Sequence, residues 1–373
     1  MLKKIIALFL ICGTFVFCGA DEYVEIYNKT VSKLDKGGLY LYYQNTENMH
    51  SQISLIIDQF EKETAVTAVP DMALQNIIAF MRGIDFTELQ AVGLSGKKIN
   101  EELYATKAVL SVDKSVGGLL FSAFGKENIG HFNIGAVLPD STIFAMSGTV
   151  DSADFYKKLS QKLAGNSEFQ AIQAMFMQMS GMEPQMFAEN CKGEYFFGIF
   201  KSQEDRKADF YIVLPDKKGS LKMFFSLYAG QNMRTNGGVS FVELPLNNSP
   251  FGESMKVIFA NNTVAICSND KIFSSAGRKL ADANPQVFGK LKTVRGIGFS
   301  VLNFDIADFI SSIDSHKYQM FSMIEVDRNG YFINALSNYD LCNWAEYEPL
   351  KKILSGIKPI NGVGNDDIDD FSE

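Results

Sequence analysis

Methionine is the residue whose type and spacing suggest chemistry most directly in this sequence. The dense set comprises Met175, Met177, Met179, Met182 and Met186. If a helix passes Gly181, Met175, Met179, Met182 and Met186 share one face, because they follow one another at steps of four, three and four residues. Thioether sulfur is a ligand for Cu(I), so one interpretation of the set is a copper site. The other is an adaptable apolar face that packs on a sheet or lines a groove for an apolar ligand.

The apolar interpretation of this segment is favoured, because no histidine or cysteine accompanies the methionines and a proline interrupts them. We predict a helix that ends near Gly181, with Met175, Met179 and Met182 directed into the protein. The same three methionines, together with Phe176, are the predicted ligand-binding residues. We expect neither a metal ion nor a cofactor.

Motifs of catalytic or zinc-binding residues are missing from the sequence. Histidine occurs only at His50, His131 and His316, too far apart for a local zinc site. The Ser-x-x-Lys pattern of penicillin-binding enzymes recurs at about the chance frequency, without the motifs that accompany it. It begins at Ser95, Ser111, Ser268 and Ser355. We therefore predict no catalytic residues, with a hydrolase site assembled from distant residues kept as an alternative.

Cysteine is sparse, and its distribution bears on both redox chemistry and folding. Outside the first twenty residues only Cys191, Cys267 and Cys342 occur, an odd number that allows at most one disulfide. Which two would pair stays open. Since a free cysteine behaves as a small buried hydrophobe, we expect buried, unpaired thiols and a fold held by its hydrophobic core.

The N-terminal residues 1–20 have the parts of a secretory signal peptide. Lys3 and Lys4 are followed by a short apolar run, and small residues precede Asp21. The run is too short to span a bilayer, so we expect cleavage before Asp21 and a periplasmic or secreted protein. A lipoprotein anchored through Cys18 is the less favoured alternative, because Phe17 is large at the position that should be small.

Composition excludes several other classes of protein. The chain has 373 residues, of which 46% are hydrophobic and 21% charged, as in an ordinary packed globule. The formal net charge of −8 argues against a nucleic-acid partner. No later apolar run is long enough for a transmembrane helix, so we expect the mature chain not to span a membrane. The partners that remain are an apolar ligand or an envelope protein.

Hydrophobic periodicity indicates the elements that position these residues. A period of 3.6 residues predicts helices, and a period of two predicts strands. The predicted helices are 21–35, 48–63, 71–82, 152–163, 168–180, 270–281 and 305–314. The predicted strands are 39–43, 89–96, 103–112, 131–138, 142–149, 194–200, 208–214, 221–229, 255–260, 263–268, 296–303, 320–327 and 331–337. Many of these strands follow one another in hairpins, so the sheets are expected to be antiparallel.

A short block of sequence occurs twice. The pentapeptide DSADF begins at Asp151, and DIADF begins at Asp305, each after a predicted strand. The first Asp of each block suits the N-terminus of a following helix. Phe-Gly-Lys also recurs upstream, at Phe124 and Phe288. The shared order favours an internal duplication, in which Asp151 and Asp305 occupy equivalent strand-to-helix junctions.

The predicted fold is therefore α+β, with antiparallel β-sheets that carry helices packed on one face, in two related halves. Residues 1–20 are assigned to the signal peptide, and 21–187 to a helical lead-in plus the first α+β half. Residues 188–360 are assigned to the second α+β half. Residues 361–373 are rich in Asp, and we expect an acidic, disordered tail there.

The chain resembles a loose class of exported bacterial proteins of unknown function that carry repeated Leu-Pro-Asp strand and helix blocks. The resemblance rests on VLPDSTIFAMSGTVDSADFYKKL, GMEPQMFAENCKGEYFFGIF and VIFANNTVAICSND, and it covers about residues 85–315. The matching features are the turn at Leu138-Pro139-Asp140 and the step at Gly193-Glu194. The resemblance implies curved antiparallel sheets packed with helices, and it implies no catalytic residues.

Three functional hypotheses follow from the sequence. The favoured one is an exported, non-enzymatic envelope or secreted binding protein. The second is a carrier of a lipid or another apolar ligand, held in a cavity between sheet and helices, which the high Phe content and the methionine face suggest. The third is the hydrolase with a dispersed site.

Overall fold

The computed structural model describes most of the chain between Glu22 and Leu341. The described residues are 22–45, 89–112, 130–202, 208–229, 233–236, 239–249, 251–260, 262–274, 277–305, 317–327 and 330–341, with Asp58, Leu119, Ser122, Ala307 and Ser315. The predicted signal peptide, acidic tail and helices 48–63 and 71–82 lie outside these residues, apart from Asp58. Most of the predicted helix 305–314 also lies outside them.

Strands make up most of the regular structure. They are β1 (Tyr40–Asn45), β2 (Leu89–Asn100), β3 (Leu103–Val112), β4 (Gly130–His131), β5 (Thr142–Val150), β6 (Gly193–Lys201), β7 (Ala208–Pro215), β8 (Arg234–Asn236), β9 (Val239–Ser249), β10 (Gly252–Ala260), β11 (Thr263–Cys267), β12 (Arg295–Gly296), β13 (Gly298–Asp305), β14 (Lys317–Asp327) and β15 (Gly330–Ser337). The helices are α1 (Glu22–Val31), α2 (Asn133–Val137), α3 (Ser152–Lys162), α4 (Ser167–Ser180), α5 (Pro184–Asn190), α6 (Ser220–Ala229), α7 (Leu280–Ala283) and α8 (Pro285–Phe288), with a 3-10 helix over Gly289–Thr293.

A single antiparallel sheet of 13 strands organises the described chain, in the order β1-β2-β3-β15-β14-β13-β5-β6-β7-β11-β10-β9-β8. β4 and β12 form a separate two-stranded pair. The prediction of an α+β fold in two halves is therefore wrong. The physical reason is the pairing of distant strands, since β3 pairs with β15 and β5 pairs with β13.

Helices pack on both faces of the sheet, so the prediction that they cover one face is also wrong. On one face, α7, α8 and the 3-10 helix bury residues such as Phe288 and Leu291 against Phe299 of β13. On the other face, Leu221 of α6 packs against Val257 of β10 in a second buried cluster. Neighbouring residues of one strand point to opposite faces, which is how a single sheet serves both clusters.

Two predicted strands form helices instead. Over 131–138, β4 has only two residues, and α2 follows it between the buried side chains of Phe132 and Leu138. Over 221–229 the chain forms α6, because the Asp216 carboxylate accepts the amides of Leu221 at 2.9 Å and Lys222 at 3.0 Å. Such bonds satisfy amide donors at a helix N-terminus and favour a helix over a strand.

Both copies of the repeated block lie at the end of a central strand. Asp151 follows β5 and accepts a hydrogen bond from the Asp154 amide at 3.1 Å, so it caps α3. Asp305 ends β13 and accepts from the Ala307 amide at 3.1 Å. The expected strand-end position is therefore confirmed for both residues, while the segment after Ala307 lies largely outside the described residues.

Candidate functional site

One face of the central strands carries a row of large apolar side chains. We call this set the central strip, and it consists of Phe144, Met146, Phe197, Ile199, Ile212, Leu302 and Met320. All are half-buried, and none belongs to the four buried clusters found among the described residues. The alternate residues of the same strands, such as Ala145 and Val301, are fully buried on the opposite face.

Strand register brings the strip together from five neighbouring strands, and directly opposite residues share a face. Leu302 of β13 lies opposite Phe144 of β5 and also opposite Met320 of β14. The other directly opposite pairs are Phe144 with Ile199, Met146 with Phe197, and Phe197 with Ile212. The rings of Phe144 and Phe197 are 6.0 Å apart between centroids, so the strip is continuous across β5 and β6.

On the same face of the sheet, a packed cluster borders the strip at each of its two ends. At β7, Ile212 lies opposite Ile266, which packs against the cluster under α6. At β14, Ile324 packs against a cluster that contains Leu89 and Val326. The strip is therefore the apolar section of this face that lies between two closed cores.

A small polar patch adjoins the strip. Gly148 of β5 lies opposite Gly298 of β13, and a Cβ atom at Gly148 would lie 2.6 Å from the Tyr195 hydroxyl, so the Tyr195 ring lies over Gly148. The hydroxyls of Ser300 and Ser322 are hydrogen-bonded at 2.7 Å. Burial raises the pKa of Tyr195 above its ordinary value, because a phenolate would lose hydration there. Three hydroxyl groups thus lie beside the apolar strip.

Charged side chains are segregated from this face. Among the positions of β5, β6, β7, β13, β14 and β15 that share the face of the strip, the one charged residue is Lys201, at the exposed end of β6. Glu194, Asp209 and Glu325 alternate to the opposite face. The strip can therefore bury apolar groups without desolvating a charge.

The predicted methionine site lies elsewhere, on α4. The helix ends at Ser180, with Gly181 as its left-handed C-cap, as predicted. Met182 is 3% exposed, which confirms its inward position, but Met175 is 47% exposed, so the prediction that it points inward is wrong. Phe176 packs against Phe187 of α5 at 5.1 Å between ring centroids. The side chain of Met179 is not described, and the ligand-binding role of the set stays a prediction.

The other sequence candidates for chemistry are engaged in structural contacts. Ser268 donates to the Asp209 carboxylate at 3.0 Å and accepts from the Phe210 amide at 3.0 Å. Ser95 accepts from the Asp35 amide at 2.9 Å. Within the described part of the chain, no group of three His, Cys, Asp or Glu residues could hold a metal ion.

The cysteines that the structure describes are both free thiols. Burial raises the pKa of Cys191 to about 11, with a further contribution from Asp216. Burial likewise raises the pKa of Cys267 to about 12. Both values suppress the thiolate, so these residues are poor nucleophiles. The expectation of unpaired thiols is confirmed for these two, and Cys342 lies outside the described residues.

Periodicity could have identified the strip only in part. The run TIFAMSGTV of β5 has no charged residue at all, which is the signal of a strand with apolar side chains on both faces. Which of its two faces is closed by a core depends on α7, α8 and the 3-10 helix, from a segment far along the chain. The sequence pattern of β5 carries no information about that distant packing.

Searches against known proteins gave no relative for this chain: no family model, no curated protein and no solved structure matched it. Among the helices that the structure describes, none combines the length and the apolar character that crossing a membrane requires.

Proposed function

We propose that this chain is an exported binding protein that holds an apolar ligand, such as a lipid acyl chain, against the central strip. The observation that carries the proposal is the strip itself, a charge-free row of half-buried apolar side chains between two closed cores. Burial of apolar surface drives such binding, and the hydroxyl groups beside it orient a ligand. Export rests on the signal peptide predicted in residues 1–20.

The dimensions of the strip suit an acyl chain. It crosses the five strands β14, β13, β5, β6 and β7 in succession. Antiparallel neighbours lie about 4.8 Å apart, so the strip is roughly 19 Å long. An extended hydrocarbon chain of about sixteen carbons has a similar length, and a shorter chain fits within it. The role is binding rather than catalysis, because burial and hydrogen bonding are what these side chains offer.

Native mass spectrometry of the protein purified from its own host tests this function. We expect the wild-type chain to carry an added mass of lipid size. The double variant Met146→Gln with Met320→Gln, both in the strip, should lose it and bind N-phenyl-1-naphthylamine at least ~10-fold more weakly. The matched control is Met177→Gln, since Met177 is 50% exposed on α4.

The control and the wild type should behave alike in this experiment, with circular dichroism checking that every variant is folded. Equal retention of lipid by the folded double variant would contradict the proposal. So would a wild-type protein that carries no added mass and does not bind the fluorescent probe.

A second candidate function is docking of an envelope protein on α4 and α5. Met175 and Met177 of α4 and Met186 of α5 are each about half exposed, at 47%, 50% and 47%. The contact of Phe176 with Phe187 holds the two helices side by side. Exposed methionines form adaptable surfaces for partners. Cross-linking from position 177 in the native host should recover one envelope protein reproducibly, and cross-linking from the exposed Lys292 should not.

A further inference from the structure

We infer that the ligand is an amphiphile with an uncharged, hydrogen-bonding head, held at the hydroxyl patch formed by Tyr195, Ser300 and Ser322. This inference rests on the proposed function, since it names the class of ligand for the same strip. The chain of the ligand would lie along the strip, and its head would meet the Tyr195 hydroxyl over Gly148, near the hydroxyls of Ser300 and Ser322.

The absence of a side chain at Gly148 allows the Tyr195 ring to approach the sheet closely at this point. Gly148 and Gly298 are directly opposite each other at the centre of the sheet. The Tyr195 ring lies over Gly148, and its hydroxyl would lie 2.6 Å from a Cβ atom at that position. Any larger residue at Gly148 would displace the ring. Gly148 therefore allows the phenol to lie beside the strip rather than away from the sheet.

Hydrogen-bonding capacity remains at the patch. Ser300 and Ser322 share one hydrogen bond of 2.7 Å, and each hydroxyl carries one hydrogen, so one donor hydrogen is left for another acceptor. The Tyr195 hydroxyl has no hydrogen-bond partner among the described residues. A hydroxyl head group can both donate to and accept from such groups, and an ester carbonyl can accept from them.

Charge decides which head groups fit. Lys201 is six residues further along β6, roughly 20 Å from Tyr195 at the rise of a strand. Lys192 lies three residues before Tyr195, roughly 10 Å away, and its charge is already paired with Asp151. A carboxylate, phosphate or ammonium head would lose hydration at the patch without a counter-charge, and such burial is strongly unfavourable. The raised pKa of Tyr195 reports the same resistance to charge at this place. Neutral polar heads are therefore selected.

Competition against N-phenyl-1-naphthylamine tests the inference on the full chain. We expect dodecanol and monododecanoylglycerol to displace the probe at ~10-fold lower concentrations than dodecanoate at neutral pH, where the acid is ionised. Tyr195→Phe should weaken dodecanol binding ~5- to 10-fold and leave the probe affinity unchanged. Ser300→Ala should act in the same direction.

The matched control is Tyr211→Phe, because Tyr211 packs against the core on the opposite face. It should leave every affinity unchanged. Failure of the probe and of all three ligands to bind would overturn the proposed function itself. Binding of the probe with equal affinities for dodecanol and dodecanoate, or with no effect of Tyr195→Phe, would overturn this inference and leave the proposed function standing.

Discussion

Asp151 combines two roles at one position. Its carboxylate caps α3 through the Asp154 amide, and it also pairs with Lys192, which directly precedes β6. Burial raises the pKa of Asp151, but the hydrogen bonds from Lys192 and the backbone amides outweigh it, so the net pKa is below the ordinary value. The ionised carboxylate therefore stabilises the fold above about pH 4. That contribution is lost as the pH falls through the lower pKa of the folded state.

Substitution at Asp151 should separate the two roles. Asp151→Ala removes cap and ion pair and should cost about 1–2 kcal/mol in the free energy of unfolding at neutral pH. Asp151→Asn keeps a cap acceptor and should cost less than about 1 kcal/mol relative to the wild type, and this cost should shrink as the pH falls toward the lowered pKa of Asp151. Urea unfolding of both variants at neutral pH and near pH 3 measures this. Equal losses for Ala and Asn at neutral pH would show that the cap contributes nothing.

Thiol reactivity gives a second prediction at the residue scale. With pKa values raised to about 11 and about 12, Cys191 and Cys267 should react with iodoacetamide in the folded protein far more slowly than a free thiol. At pH 8 the thiolate fraction of Cys191 is roughly 200-fold lower than that of an unperturbed cysteine. Peptide mass spectrometry, with a urea-unfolded sample as control, measures each site. Reaction of folded Cys191 at the free-thiol rate would refute the prediction.

At the scale of elements, the N-terminus of α6 depends on a buried cap. Asp216 is 5% exposed, accepts two amides of α6 and accepts from the side chain of Asn190. Asp216→Ala should therefore cost about 2–4 kcal/mol, because buried donors lose their acceptor. The control Glu189→Ala removes an exposed ion pair with Lys218 and should leave the melting temperature close to that of the wild type. Thermal melts should rank the variants in this order.

Substitutions of the methionines in and after α4 should lower the free energy of unfolding by different amounts. Met182 is 3% exposed just after the helix, so Met182→Ala should cost about 2–4 kcal/mol, while Met182→Leu should cost under about 1.5 kcal/mol. Met177→Ala, at a half-exposed position, should be close to neutral. Calorimetric titration with Cu(I) tests the alternative: a tight isotherm lost in Met182→Leu would favour the copper interpretation over packing.

Local signals predicted many elements, and distant contacts account for the errors. The turn at Asn262 was predictable because Asn tolerates the positive φ of 63° that the hairpin requires. The end of α4 at Gly181 was predictable from glycine for the same reason. In contrast, α6 has the apolar character of a strand, and the cap that makes it a helix precedes the segment. Periodicity within residues 221–229 could not reveal Asp216.

At the scale of the whole molecule, the shared sheet makes the first part of the chain dependent on the rest. In a fragment of residues 21–187, β5 would lack both of its neighbours, β6 and β13, and β3 would lack β15. We expect this fragment to be unfolded or aggregated, whereas an independent half would fold. Amide-proton dispersion in an NMR spectrum of the fragment distinguishes the outcomes. A well-dispersed spectrum would contradict a sheet that is one cooperative unit.

Pairing across the chain also explains why the class of fold was mistaken while its strands were largely identified. The hairpin of β2 and β3 follows from local alternation, and the structure confirms it. The junction of β3 with β15 joins segments that share no sequence signal. The two copies of the DxADF block correctly marked the ends of β5 and β13. Nothing in either copy indicated that these two strands lie side by side.

The partner strand of β3 is β15, which is synthesised much later, and this order affects folding. Ser111 pairs with Gly330, roughly 220 residues further along, so closing this contact costs on the order of 5 kcal/mol of chain entropy. During synthesis, the edge of β3 that pairs with β15 has no hydrogen-bonding partner until β14 and β15 have left the ribosome. Folding should therefore be slow and exposed to aggregation. If the predicted signal peptide directs export, the same delay would favour translocation, because a chain that has not yet folded can pass through a narrow channel.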